Sequence, residues 1–303
     1  MVVVFSTPTK GFDLSDECIH GLDGKLCAIC FPKAAPEVVP VATVRKRSST
    51  AKPPSLTGPR RVTPAAAPRK TTAAKRAADN VGEQRLYHVT HISNLAAILE
   101  SGYLLADASE SLETRPHVDV STPAVRDARR SVLLPGDDDL SVANYVPFFL
   151  SPHATVWDAI RARNGDPRLV LNAHGSDAYD FVIIVSTVKT VVDAHVATND
   201  DFPAGVALAD GDAARAGSRI VATSDGVERM LVRLRSDPDS DVLLNAELLV
   251  MDSFPLELVT LLGVANDRVR DVVRDILKQS SYRPKVAVYP PWFQPTEEVE
   301  LED

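Results

Sequence analysis

Two groups of residues in this sequence have the types and spacing that chemistry requires. The first is Glu247, a carboxylate inside the otherwise apolar run Val-Leu-Leu-Asn-Ala-Glu-Leu-Leu-Val at positions 242–250. Read as a strand, positions 241–250 send Val242, Leu244, Ala246, Leu248 and Val250 to one face and Leu243, Asn245, Glu247 and Leu249 to the other. A carboxylate in that setting is costly to desolvate unless something polar or charged meets it. A salt bridge and a substrate both fit, and the residues alone leave the two open. The second group is Cys18, His20, Cys27 and Cys30, four soft or borderline ligands within thirteen residues, with Gly21 and Gly24 permitting a turn between the pairs. Tetrahedral structural zinc takes such a set, and in so short a segment the metal would supply most of the folding free energy. The bland alternative is a floppy terminus with incidental thiols.

The rest of the chain must position these groups. At 303 residues, 45% hydrophobic and 24% charged, it has room for one sizeable folded domain with appendages. The net charge of -8 conceals an asymmetry. Positions 33–80 hold eleven Lys or Arg against Glu37 and Asp79, so that stretch carries +9 and the remainder -17. Positions 33–81 are also rich in Ala, Pro, Ser and Thr and nearly free of aromatics, which predicts a disordered basic linker. Such a linker attracts nucleic-acid phosphates or is merely a solvated tether. The three cysteines are too few for a disulfide framework and suit a reducing compartment. No stretch approaches the length of a membrane span and no basic region precedes the short apolar start. A soluble, cytoplasmic protein without a membrane partner is the expectation.

The chain divides into a zinc-knuckle-like segment (1–32), the basic linker (33–81), a folded domain (82–281) and a loosely attached acidic tail (282–303). Within the domain, Leu86 to Thr90 reads as a strand, followed by Ser93 as the N-cap of a helix that carries Leu95, Ile98 and Leu99 and stops at Gly102. Val132 to Leu134 reads as a short strand or loop with a turn at 135–139 behind it. Tyr145 to Leu150 is strand-like, but Pro147 argues for an edge or bulged position. Thr155 to Ala162 reads as a helix and Phe181 to Val185 as a buried strand. Helices are predicted at 255–261 and at 267–278, the latter with Val269, Val272, Val273 and Ile276 at helical spacing. Strands scattered among short helices, without a βαβ rhythm, predict an α+β fold.

Three segments resemble one family. Leu86-Tyr87-His88-Val89-Thr90-His91-Ile92, with Asn94-Leu95 and Ile98-Leu99 behind it, is similar to the opening of the DarT family of DNA ADP-ribosyltransferase toxins. Asn144-Tyr145-Val146-Pro147-Phe148-Phe149 resembles its Tyr-Val-Pro-Phe-Tyr-Phe segment, and Asn245-Ala246-Glu247-Leu248-Leu249-Val250 its Gln-Ala-Glu-Phe-Leu-Val strand. The order and approximate spacing agree from Leu86 to Leu277. Asn245 stands where the family has Gln and Leu248 where it has Phe, so a contact made by the longer amide is shortened here.

The resemblance implies an ADP-ribosyltransferase-like split antiparallel sheet with flanking helices that grips NAD in a cleft. It makes Glu247 the catalytic carboxylate, which would stabilise positive charge building on the ribose and take a proton from the attacking base. It carries the family's arginine to Arg129, with Arg130 as the alternate. His88 and Thr90, with Asn94, would bind the ribose or nicotinamide amide, and Tyr145 would stack on the nicotinamide. Core packing is the rival reading for His88 and Tyr145. The implied partners are single-stranded DNA, whose bases are reachable when unpaired, and a macrodomain antitoxin. The rival functions are NAD-dependent transfer to RNA or protein, and an inert nucleic-acid-binding adaptor.

Overall fold

The computed structural model describes residues 80–198, 205–237 and 241–295. Cys18, His20, Cys27 and Cys30, and the basic linker up to Asp79, lie outside the described residues. The centre of the fold is one sheet of eight strands. In chain order its members are β1 (Arg85–His91), β5 (Tyr145–Phe149), β6 (Phe181–Thr187), β7 (Val206–Ala209), β8 (Ile220–Val221), β9 (Glu247–Met251), β11 (Leu261–Val264) and β12 (Lys285–Val288). Across the sheet they run β12-β11-β6-β1-β5-β9-β7-β8. Every pair is antiparallel except β11 with β12. Two small two-stranded pairs stand apart: β2 (Tyr103–Leu105) with the distant β10 (Ser253–Pro255), and the hairpin of β3 (Leu133–Leu134) with β4 (Asp137–Ser141).

β6 shows why the middle of the sheet is stable. Six consecutive residues, Phe181 to Ser186, are buried, because both faces of the strand are covered. Val182 and Ile184 join a continuous core with Leu86, Phe148, Leu248 and Val250, under helices α1 (Leu95–Ser101), α6 (Ser224–Arg235) and α8 (Asp267–Leu277). The opposite face is divided. Phe181, Ile183 and Val185 pack with Trp157 of helix α3 (Thr155–Ala162), Trp292 and Phe293, whereas Tyr145, Ala207 and Leu249 form a separate cluster with Leu134 and Val142.

The sheet is continuous by strand order but nearly parted at its middle. β1 pairs with β6 at seven positions, yet with β5 only at Tyr87↔Phe149. Continuing that register would bring Val89 to Pro147, which has no N–H to give. The Pro147 carbonyl instead meets the His88 ring Nδ1 at 2.9 Å. The edge or bulged position expected of Pro147 is not found: β5 lies inside the strand order, paired along its length with β9 and at one position with β1.

Several sequence expectations need correction. Positions 241–250 are not one strand: Asp241–Asn245 is a helical turn, α7, and the strand begins at Glu247. A short apolar run satisfies both periods, and the Asn245 side chain closes the turn by donating to the Asp241 carbonyl at 2.7 Å. Alternation holds from Glu247 onward, with Leu248 and Val250 in the continuous core and Leu249 on the divided face. The helix expected at 255–261 is a 3-10 turn, Leu256–Leu258, between β10 and β11. The N-cap placed at Ser93 falls at Asn94, which makes no side-chain cap bond, and a 3-10 turn at Ile92–Asn94 precedes the helix, capped by His91, whose Nδ1 accepts from the Ser93 N–H. Gly102 does end α1, at φ 79°.

The stretch from 282, expected to be a loose tail, is folded through residue 295. β11, α8 and β12 form the single parallel crossover, and Trp292 and Phe293 are buried. The Trp292 ring approaches Gly263 of β11 closely, so that an added Cβ would stand 2.7 Å from it. Gly263→Ala is therefore expected to destabilise the protein by about 1–3 kcal/mol through overpacking. A urea midpoint equal to wild type would show that Trp292 is not held there.

Candidate active site

A cavity of about 250 Å³ opens where β1 and β5 part. His88, Val89, Thr90 and His91 line it from β1, Pro147 and Phe149 from β5, and Glu247 from the start of β9. Helix α3 contributes Thr155, Val156, Trp157 and Ile160, and the segment 116–121 forms a further wall.

Helix α2 (Pro123–Ser131) supplies the arginine. Thr122 caps it by accepting from the Val125 N–H, and Pro123 sits where the missing N–H is harmless. Val125 and Arg129, one turn apart, share the face that lines the cavity. Arg126 is turned to Asp119 and the Ser121 carbonyl, each at 2.6 Å. Arg130 leaves the site and pairs with Asp107 and Asp127. Helical geometry thus separates Arg129 from its neighbour, a choice that spacing alone could not make.

Arg129 Nη1 donates to Glu247 Oε2 at 2.9 Å, with side chains 13% and 6% exposed. Of the two readings left open for Glu247, the salt bridge is present, and the bridge faces the cavity. Burial pushes the Glu247 carboxyl above the ordinary glutamate value, opposed chiefly by the Arg129 charge and assisted by Asp212. Arg129 Nη2 is buried with no hydrogen-bond partner. A buried donor without a partner is costly, so it offers a place for an acceptor oxygen on a ligand.

His88 is half-buried on the cavity wall, and desolvation lowers its pKa, against the Pro147 carbonyl contact. The ring is then neutral, and because a carbonyl only accepts, Nδ1 carries the proton and Nε2 is left as an acceptor. Thr90 lines the cavity and accepts from Asn94 Nδ2 at 3.2 Å. Asn94 also grips the backbone of Val118 from both sides, donating to its carbonyl and accepting from its N–H, each at 2.9 Å. It thereby ties the 116–121 wall to β1. Tyr145 is not among the lining residues; it is buried with Leu249 and Ala207, and burial raises its hydroxyl to about 12.

Four lining groups escaped the sequence reading. Asp119, Thr155, Arg168 and Asp212 all reach the cavity; Asp119, Arg168 and Asp212 stand in polar, turn-like stretches indistinguishable from solvated loops, and Thr155 opens a helix whose facing side the sequence did not reveal. Asn245, expected beside Glu247 on one strand, lies at the end of α7 and hydrogen-bonds Thr155 Oγ1. Among the described residues no His, Cys, Asp or Glu group is arranged to hold a metal ion, and no helix is long and apolar enough to cross a membrane.

A buried carboxylate paired with arginine on the wall of a cavity is an arrangement suited to a small polar ligand. The family model described as ssDNA thymidine ADP-ribosyltransferase, DarT, matches residues 87–294, and the chain belongs to that family. A DNA ADP-ribosyl transferase of Thermus aquaticus is 26% identical over 217 residues, 69% of this chain and 88% of that protein. The solved DarT of Thermus sp. 2.9 in complex with ADP-ribosylated ssDNA aligns with TM-score 0.55 at 22% identity, over 70% of this chain and 96% of that one. DarTG of Thermosipho africanus in complex with ADP-ribose aligns at TM-score 0.50 and 19% identity, over 69% of this chain and 51% of that one. Both structural likenesses establish a shared fold, a large mixed sheet flanked by helices.

Proposed function

We propose that this protein transfers ADP-ribose from NAD to a thymine base of single-stranded DNA, with Glu247 as the catalytic carboxylate and Arg129 as its partner. The observation that carries this reading is the Arg129–Glu247 pair at 2.9 Å, facing the cavity at the parting of the sheet within the segment matched by the family. Breaking the bond between ribose and nicotinamide builds positive charge on the sugar, and a fixed carboxylate in a low-dielectric site stabilises it. His88 Nε2 is an acceptor suited to the nicotinamide amide N–H, and the spare Arg129 Nη2 is a donor suited to a ribose or phosphate oxygen. Thr90 adds a hydroxyl beside them. Asn94 also lines the cavity, and holds its wall through Val118.

A thymine ring nitrogen is accessible only when the base is unpaired, which favours single strands over duplex. The basic stretch at 33–80 supplies charge for holding DNA phosphates. Cys18, His20, Cys27 and Cys30 would hold a structural zinc outside the catalytic domain, an assignment supported by their spacing alone. A macrodomain antitoxin that reverses the modification is the partner that membership of the family suggests, and the cytoplasm is the compartment that its cysteine usage suits.

The test is incubation of the purified protein with labelled NAD and, in parallel, single-stranded DNA, duplex DNA, RNA and protein. Label confined to single-stranded DNA containing thymine is expected. Label on RNA or protein alone would replace the acceptor in this reading, and no label on any of them would favour a binding protein.

A further inference from the structure

Three carboxylates line the cavity: Asp119, Asp212 and Glu247. Two are engaged at close range. Asp119 accepts from Arg126 at 2.6 Å and from the Ser121 N–H at 3.1 Å, and Glu247 accepts from Arg129. Asp212 differs. Its Oδ1 accepts from the Ala214 N–H at 2.9 Å, while Oδ2 faces Arg168 Nη1 at 3.8 Å, beyond hydrogen-bond range. Arg168 is itself fixed by Asp166, which takes Nε and Nη2, and by Thr155, so that Nη1 is the nitrogen turned toward Asp212. The cavity wall therefore presents an acceptor oxygen and a donor nitrogen side by side, neither in a hydrogen bond with the other.

The connection from β7 to β8 holds Asp212 there. Ser218 Oγ and the Arg215 N–H both donate to the Asp212 carbonyl, at 2.7 and 3.0 Å. The next residue, Ala213, is buried and gives a backbone hydrogen bond to Glu247. Asp212 is thus placed beside the catalytic carboxylate. A second negative charge there repels a diphosphate, so it belongs with an uncharged part of the reaction.

We propose that Asp212 and Arg168 read the acceptor base, and that Asp212 takes its ring proton, leaving Glu247 to stabilise the charge on the ribose. This rests on the transferase reading above. Within a nucleotide, thymine has a single N–H, at N3, between two carbonyls. Arg168 Nη1 matches a carbonyl and Asp212 Oδ2 matches the N3–H. Cytosine and adenine place a lone pair at the corresponding ring nitrogen, which a carboxylate repels. In the transfer, the bond from ribose C1′ to nicotinamide breaks and its electron pair leaves with nicotinamide. The C1′–N3 bond forms from the thymine nitrogen, and the N3 proton passes to Asp212 and then to water.

The experiment uses the full chain, labelled NAD and single strands of dT, dC, dA, dG and N3-methylated dT. Wild type should label dT and neither dC, dA nor the methylated strand; label on dG also supports the proposal, because guanine presents O6 beside N1–H. Asp212→Asn keeps an oxygen for the Ala214 N–H, so the hairpin is preserved. Its rate on dT should fall by about a hundredfold, while KM for NAD stays within about twofold, a split that general misfolding would not produce. Arg168→Lys retains the charge but loses the fork of donors, and should erode the preference for dT over dC. If Asp212→Asn labels dT within about threefold of wild type, the proposal falls while the transferase reading stands. If wild type labels no DNA, both fall.

Discussion

Glu247→Gln is expected to lower ADP-ribose transfer by about a thousandfold, the range in which removal of one charge-stabilising or proton-transferring group falls. Glutamine keeps the volume and one acceptor oxygen for Arg129, so KM for NAD should move far less than kcat. Steady-state rates at saturating single-stranded DNA would check this. A variant retaining a tenth or more of the wild-type rate would remove Glu247 from the chemistry. The same carboxylate predicts the acid limb of the pH profile. Burial raises its pKa above the ordinary 4.5, and the ionised form is the one that stabilises positive charge on the ribose. Activity should therefore fall, on the acid side, at a higher pH than an unperturbed glutamate would give, and Glu247→Gln should lack that limb.

Arg129→Ala should be the variant most harmful to stability. It strands a carboxylate that is 6% exposed beside no counter-charge, which corresponds to a loss of about 3–5 kcal/mol at neutral pH. The pH dependence has a definite sign. Arg129 opposes the upward shift of Glu247, so its removal raises that pKa further. A group whose folded pKa exceeds its unfolded value contributes stability that is full below the unfolded pKa and lost as pH rises through the folded one. The deficit of Arg129→Ala should accordingly shrink as pH is lowered from neutral into the acid range, as Glu247 takes up a proton. Urea midpoints of variant and wild type measured across that range would show it. Parallel profiles would mean that Glu247 is not desolvated in the way the geometry describes.

The order of residues made some of this legible. Thr155 to Ala162 has the length and amphipathic pattern of a helix and is one. The continuous apolar run at Phe181 marks the doubly covered strand at the sheet centre. Pro147 pointed to an edge or bulged position, whereas its strand lies inside the sheet and pairs only once with β1. Other features were not readable because a few apolar residues satisfy more than one period. The run around Leu243 is helical up to Asn245 and extended from Glu247, and the C-terminal strand around Ala287 has too few residues to announce itself.

Residue types and local periodicity determined that a carboxylate at position 247 needed a polar partner, and that the chain carries strands and helices of an α+β kind. Those are local properties, set by desolvation and by backbone repeat. Which partner Glu247 receives was decided only in three dimensions. Arg129 is 118 positions away, and it reaches Glu247 because α2 turns its cavity face inward while Arg130 points out. The pairing of Asp212 with Arg168 is of the same kind. Two polar turns that look solvated in the sequence are brought to one cavity by strands whose register the hydrophobic core imposes.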